Sequence, residues 1–197
     1  MSDILLDRVS KSFGENRIIS NLSLRIPEKS VTCILGPSGC GKTTLLNLIA
    51  GILSPDSGTI TGVPEKRSFV FQEDRLCEDF SGYRNIRLVT GNKRSKEDIH
   101  RHLAELSLSE EREKPVREYS GGMKRRIALA RAICYDADCI FLDEPFKGLD
   151  PDRKKETMDY VRRYTESKTV LFVTHDESEA EYLGGLRLSF PLTGSGN

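Results

Sequence analysis

Short apolar runs alternate with amphipathic segments along the chain, and this rhythm predicts a layered α/β domain. Val31–Leu35, Cys139–Leu142 and Thr169–Val173 are apolar runs bounded by polar or turn residues. Runs of this kind suit central strands of a mainly parallel sheet covered on both faces. A helix is expected after each one. The first is Lys42–Ala50, stopped by Gly51; the second is Pro151–Thr165, with Asp150 as N-cap and Pro151 at the first helical position. The third is Asp176–Leu183, stopped by Gly184. Ile4–Phe13 and Arg17–Ile26 alternate more strongly, which predicts an antiparallel pair set against the core. From about residue 81 to 119 no strand is convincing and several stretches read as helix. The expected organisation is one domain over residues 1–197. Residues 1–80 and 120–197 form its core, and about 81–119 form an inserted helical subdomain. The one low-complexity stretch is the tail Thr193–Asn197.

Composition changes this picture little. The 197 residues carry 30 Lys+Arg and 30 Asp+Glu, and a neutral balance argues against a dedicated nucleic-acid partner. The charge is uneven, however: residues 84–131 hold 13 basic and 7 acidic groups, and residues 132–197 hold 8 and 13. Either two solvated faces or a basic subdomain that meets an acidic partner accounts for this. No apolar run approaches the roughly 20 residues needed to span a bilayer, and the start lacks a signal-peptide pattern. A cytoplasmic location is therefore expected, with membrane association only through a partner. The five cysteines form no C-x-x-C pair and read as reduced thiols.

The strongest chemical signal is Gly36-Pro37-Ser38-Gly39-Cys40-Gly41-Lys42-Thr43, a complete G-x-x-x-x-G-K-[ST] between a predicted strand and a predicted helix. Its glycines let successive amides turn toward phosphate oxygens, the helix start adds its positive end, and Lys42 adds a full charge. The Thr43 hydroxyl is placed to ligate Mg²⁺. Ile140–Leu142 leads into Asp143-Glu144, a carboxylate pair at a strand's C-terminal end, where open α/β sheets bind ligands. Asp143 suits a metal ligand, and Glu144 suits the base that polarises a water. Ser120-Gly121-Gly122 opens a helical run and leaves first-turn amides bare, a second anion site.

Together these motifs make the chain resemble the nucleotide-binding subunit of ATP-binding cassette (ABC) transporters, from Val9 to about Leu188. The resemblance implies a P-loop NTPase of the ABC ATPase type, with ATP and Mg²⁺ as cofactors. It extends the P-loop through Thr44, makes Gln72 the glutamine-loop residue that touches metal, and makes Ser120-Gly121-Gly122 the signature loop. It makes Asp143 the metal residue, Glu144 the base, Asp150 the aspartate-loop residue and His175 the switch histidine. Phe13 would stack on adenine. The phrases at Phe71–Leu76 and Asp143–Asp150 look most like the importer branch for nitrate-, sulfonate- and taurine-type solutes. The implied partners are a second such domain (a homodimer), transmembrane permease subunits and an extracytoplasmic solute-binding protein, at the cytoplasmic face of the membrane. The alternative is a soluble ABC-type ATPase acting on nucleic acid or ribosomes. Cys40 stands where serine is common, and the helix start beside it predicts alkylation that ATP protects against. Maleimide labelling unaffected by ATP would count against that placement. Cys77-Glu78-Asp79 replaces a usually apolar stretch, and His100 and His102 are read as residues of a polar helix without a role.

Overall fold

A computed structural model describes residues 2–110 and 113–191; the tail Thr193–Asn197 lies outside them. Two sheets organise the chain. β1 (Ile4–Phe13), β2 (Asn16–Ile26) and β4 (Ser57–Thr61) form an antiparallel sheet in the order β2-β1-β4. β3 (Val31–Leu35), β5 (Arg67–Val70), β6 (Cys139–Asp143), β7 (Thr169–Thr174) and β8 (Leu186–Ser189) form a parallel sheet, ordered β5-β6-β7-β3-β8. The helices are α1 (Lys42–Ile49), α2 (Gly82–Thr90), α3 (Lys96–Glu105), α4 (Gly121–Cys134), α5 (Pro151–Thr165) and α6 (Glu177–Leu183).

The apolar strands are buried on both faces, as their composition demands. In β6, Ile140 and Leu142 enter one core while Cys139 and Phe141 enter the other. β7 splits the same way, Val170 and Phe172 against Leu171 and Val173. The period-2 alternation thus feeds two cores. One is shared with α1 and the antiparallel sheet, the other with α4 and the helices from α2 onward. Truncating a fully buried ring such as Phe141 removes contacts on a scale of about 3–5 kcal/mol. Helix starts follow their caps: Asp150 accepts from the Arg153 amide at 3.1 Å, and Ser120 from the Met123 amide at 3.3 Å.

Three short strands and one side chain differ from the sequence expectation. The short edge strands β4 and β8 are mostly exposed and β5 is partly so, so no apolar run marked them. The larger difference is His102, read as a residue of a polar helix without a role and found fully buried. Its Nδ1 stands 2.8 Å from the Tyr160 hydroxyl, and its ring packs 4.5 Å from that of Tyr164, both on α5. His102 is thus a pin between α3 and α5.

Burial, followed by the Arg94 charge, holds the His102 pKa below its ordinary 6.5, against the opposing carboxylates Asp98 and Glu105. The unfolded chain therefore binds the extra proton first as pH falls. The neutral pin contributes its full stability above about pH 6.5, and that contribution declines below it. His102→Gln, which does not titrate, should show a Tm deficit against wild type that shrinks from pH 7.5 toward 5.5. A deficit independent of pH would show that protonation is not resisted at this site.

Candidate active site

The loop between β3 and α1 holds residues Gly36 to Gly41. A side chain at Gly36 would meet the Phe190 carbonyl at 2.2 Å, and one at Gly41 would meet the Ile18 methyl at 2.4 Å. Close approach to backbone therefore requires a glycine at Gly36, and Gly41 is held to glycine by its φ of 106° as well as by the Ile18 contact. Lys42 is buried, and its Nζ donates to the carbonyls of Gly36 and Pro37, each at 2.8 Å. Its ammonium is thereby fixed inside the curve of the loop. Pro37, Ser38 and Gly39 are exposed at the rim, and Cys40 is half-buried with Sγ 3.7 Å from the Phe190 carbonyl oxygen. Cys77 is exposed, so labelling of Cys40 is best read in a Cys77→Ser background.

The ends of β6 and β7 bring the other predicted groups to this loop. The Thr43 hydroxyl donates to Asp143 Oδ1 at 3.1 Å. Burial pushes the Asp143 carboxyl up, and neighbouring Glu144 adds to this, while the Thr43 bond, Arg125 and Lys42 pull it back only in part. Glu144 has φ 44°, in the left-handed region, and its amide donates to the Val173 carbonyl at 3.0 Å. That kink aims its carboxylate away from the strand. Oε1 lies 3.4 Å from His175 Nδ1, and Oε2 lies 3.1 Å from Lys147 Nζ. Burial raises the Glu144 pKa, but Lys147 and then His175 outweigh it and hold the group in its charged form.

The residues on either side of His175 are held in place. The Thr174 hydroxyl donates to Glu179 at 2.6 Å, and Lys154 bridges Asp176 and Glu179, each at 2.6 Å. Gln72 is exposed and lines a cleft with Thr43, Asp143, Phe71 and Lys147. Phe13 is half-exposed at the end of β1, with Lys11 Nζ 5.6 Å from its ring centroid. The partner strand β2 carries Ile18 against Gly41, which keeps that hairpin end beside the loop.

Ser120, Gly121, Gly122 and Asp150 form a separate group. Leu149 packs where a Gly122 side chain would begin, at 3.3 Å. Among the described residues, no hydrogen bond or ion pair joins this group to the P-loop.

Two arginines carry weight that the sequence reading missed. Buried Arg125 on α4 donates to the Phe71 and Gln72 carbonyls at 2.6 and 2.9 Å and pairs with Asp74 at 3.2 Å. Arg131, on the same helix, donates to the Arg75 and Asp74 carbonyls at 2.8 and 3.1 Å. The segment around Gln72 is thus bolted by its backbone to the helix that begins at Ser120. The available signal was that α4 is otherwise apolar nearly all round, and charges inside such a helix need partners.

Thr43 and Asp143 supply hard oxygen donors at the mouth of the loop, which fits Mg²⁺, a cation that takes few protein ligands beside nucleotide phosphates. Among the described residues, no group of three His, Cys, Asp or Glu side chains forms a dedicated metal cage.

Comparison with known proteins places the chain among proteins of one family. Residues 19–147 match the family model described as ABC transporter. The chain is 37% identical over 182 residues to an aliphatic sulfonates import ATP-binding protein of Rhodococcus jostii, spanning 90% of this chain and 67% of that protein. It is 34% identical over 203 residues to a taurine import ATP-binding protein of Ruegeria pomeroyi, spanning 93% and 76%. Its fold superposes on a dimeric bacterial ABC transporter cassette with TM-score 0.82, at 27% identity, over 94% of both chains. With a matched family model and a site of this design, the chain belongs to the ABC transporter family.

Proposed function

We propose that this chain is the ATP-binding and ATP-hydrolysing subunit of an ABC importer, working as a dimer whose closure on ATP drives transport. The observation that carries the reading is that three adjacent strands end together. Lys42 and Thr43 follow β3, Asp143 and Glu144 stand at the end of β6 and His175 follows β7, with Thr43 bonded to Asp143 and His175 beside Glu144. Lys42 and the loop amides bind the β- and γ-phosphates. Thr43 and Asp143, with Gln72 close by, hold Mg²⁺, which neutralises phosphate charge when bound. Glu144 accepts a proton from a water whose oxygen attacks the γ-phosphorus. The bond to the β-phosphate oxygen breaks, and its electron pair leaves on ADP. His175 keeps the Glu144 carboxylate aimed from the opposite side. Phe13 offers an exposed ring to adenine.

Ser120, Gly121 and Gly122 lie apart from the P-loop of their own chain. Their hydroxyl and amides donate hydrogen bonds to the γ-phosphate bound in a second copy, with Asp150 beside the junction. The helices over residues 81–119 act as a subdomain that meets the permease together with the Gln72 loop. Work at the cytoplasmic face, through permease subunits fed by a solute-binding protein, completes the reading. Tagged Glu144→Gln protein, captured with ATP from gently solubilised native membranes, should bring a polytopic membrane protein with it. Ribosomal or DNA-associated partners without a membrane protein would overturn the transport reading while leaving the ATPase chemistry intact.

A further inference from the structure

Lys147 helps keep Glu144 charged but has been given no step in the reaction, and it is the cation closest to the base. It follows Glu144 by three residues, with Nζ 3.1 Å from Glu144 Oε2, and its amide donates to the Glu144 carbonyl at 3.2 Å. A backbone turn therefore holds the two side chains together. The Glu144 side chain is 11% exposed and that of Lys147 is 54% exposed. The carboxylate thus presents Oε1 to His175 and Oε2 to an ammonium that can swing into solvent. At 3.1 Å the ammonium holds Oε2 chiefly by charge. The same ammonium lines the cleft with Thr43, Gln72 and Asp143.

The sign of its effect follows from the direction of charge movement. A base that takes a proton from water loses negative charge on the way to the transition state. A cation fixed beside it stabilises the starting state more than the transition state, which raises the barrier.

We propose that Lys147 is a positioning residue that restrains Glu144, and that water activation speeds up when its ammonium leaves Oε2. This inference rests on Glu144 being the base. The loop contains a means of release. Gly148, with φ 78°, follows Lys147, and Leu149 packs against Gly122. A shift of the Ser120–Gly122 loop is passed directly to the segment that carries Lys147.

The test is steady-state ATP hydrolysis by the whole chain bearing Lys147→Met or Lys147→Arg, at low and high salt, beside Glu144→Gln. Lys147→Met should raise kcat about two- to fivefold, the scale of a half-exposed ion pair. Lys147→Arg keeps the charge and should keep the wild-type rate. Screening should raise the wild-type rate toward that of Lys147→Met, while the variant responds less. A Lys147→Met kcat at or below wild type, with Glu144→Gln inactive, overturns the restraint alone. Turnover by Glu144→Gln at the wild-type rate overturns the base assignment and the restraint together.

Discussion

Glu144→Gln should bind ATP as well as wild type and turn it over about 10²- to 10⁴-fold more slowly, the usual contribution of a positioned general base. The amide keeps the size of the carboxylate and its contact with His175, so the cleft keeps its shape. What it loses is an oxygen able to accept a proton. It also loses the ion pair to Lys147, which is half-exposed and worth at most about 1 kcal/mol, so folding should change little. The φ of 44° is a backbone property, and glutamine carries it about as well as glutamate. ATP binding by equilibrium dialysis, read beside phosphate release, separates the two effects. Loss of binding in step with loss of turnover would mean that the carboxylate holds the cleft together and does not act on water.

Lys42→Ala should act on the other side of the reaction, at the level of affinity. Lys42 is buried and makes two hydrogen bonds to carbonyls of its own loop. Its removal strips the loop of its internal cation and the phosphates of their strongest fixed partner. A hydrogen bond to a charged group is worth about 1.5–3 kcal/mol, so ATP affinity should fall by about ten- to a hundredfold. The Gly36 and Pro37 carbonyls also lose their donor, and some loss of stability should accompany the loss of affinity. Lys42→Met restores the apolar stem without the charge. It should recover stability and leave the affinity low, which separates the structural from the electrostatic part. Unchanged ATP affinity in both variants would remove Lys42 from the binding site.

The sequence and the structure agree best where local chemistry decides. Val31–Leu35, Cys139–Leu142 and Thr169–Val173 had to be central strands, because runs so apolar need cover on both faces. The positions of Lys42, Thr43, Asp143, Glu144 and His175 follow from those strands ending at the same edge. What stayed hidden was tertiary. His102 has helix neighbours as polar as any surface residue (Arg101 beside it, Glu105 one turn on), and only the arrival of Tyr160 and Tyr164 buries it. Arg125 and Arg131 read as part of a basic patch. Their role is set by carbonyls about 50 residues earlier in the chain. Lys147 is three residues from Glu144 in sequence, but its pairing depends on the backbone turn at Glu144, which composition does not reveal.

The central claim is that one copy's Ser120–Gly122 loop completes the ATP site of another. The molar mass of Glu144→Gln in solution, by light scattering with and without ATP and Mg²⁺, tests it most directly. The account expects one subunit without nucleotide and two with it, and Ser120→Arg in the same background should keep ATP binding but remain single. Glu144→Gln that saturates with ATP as a single subunit, at every protein concentration, would contradict it.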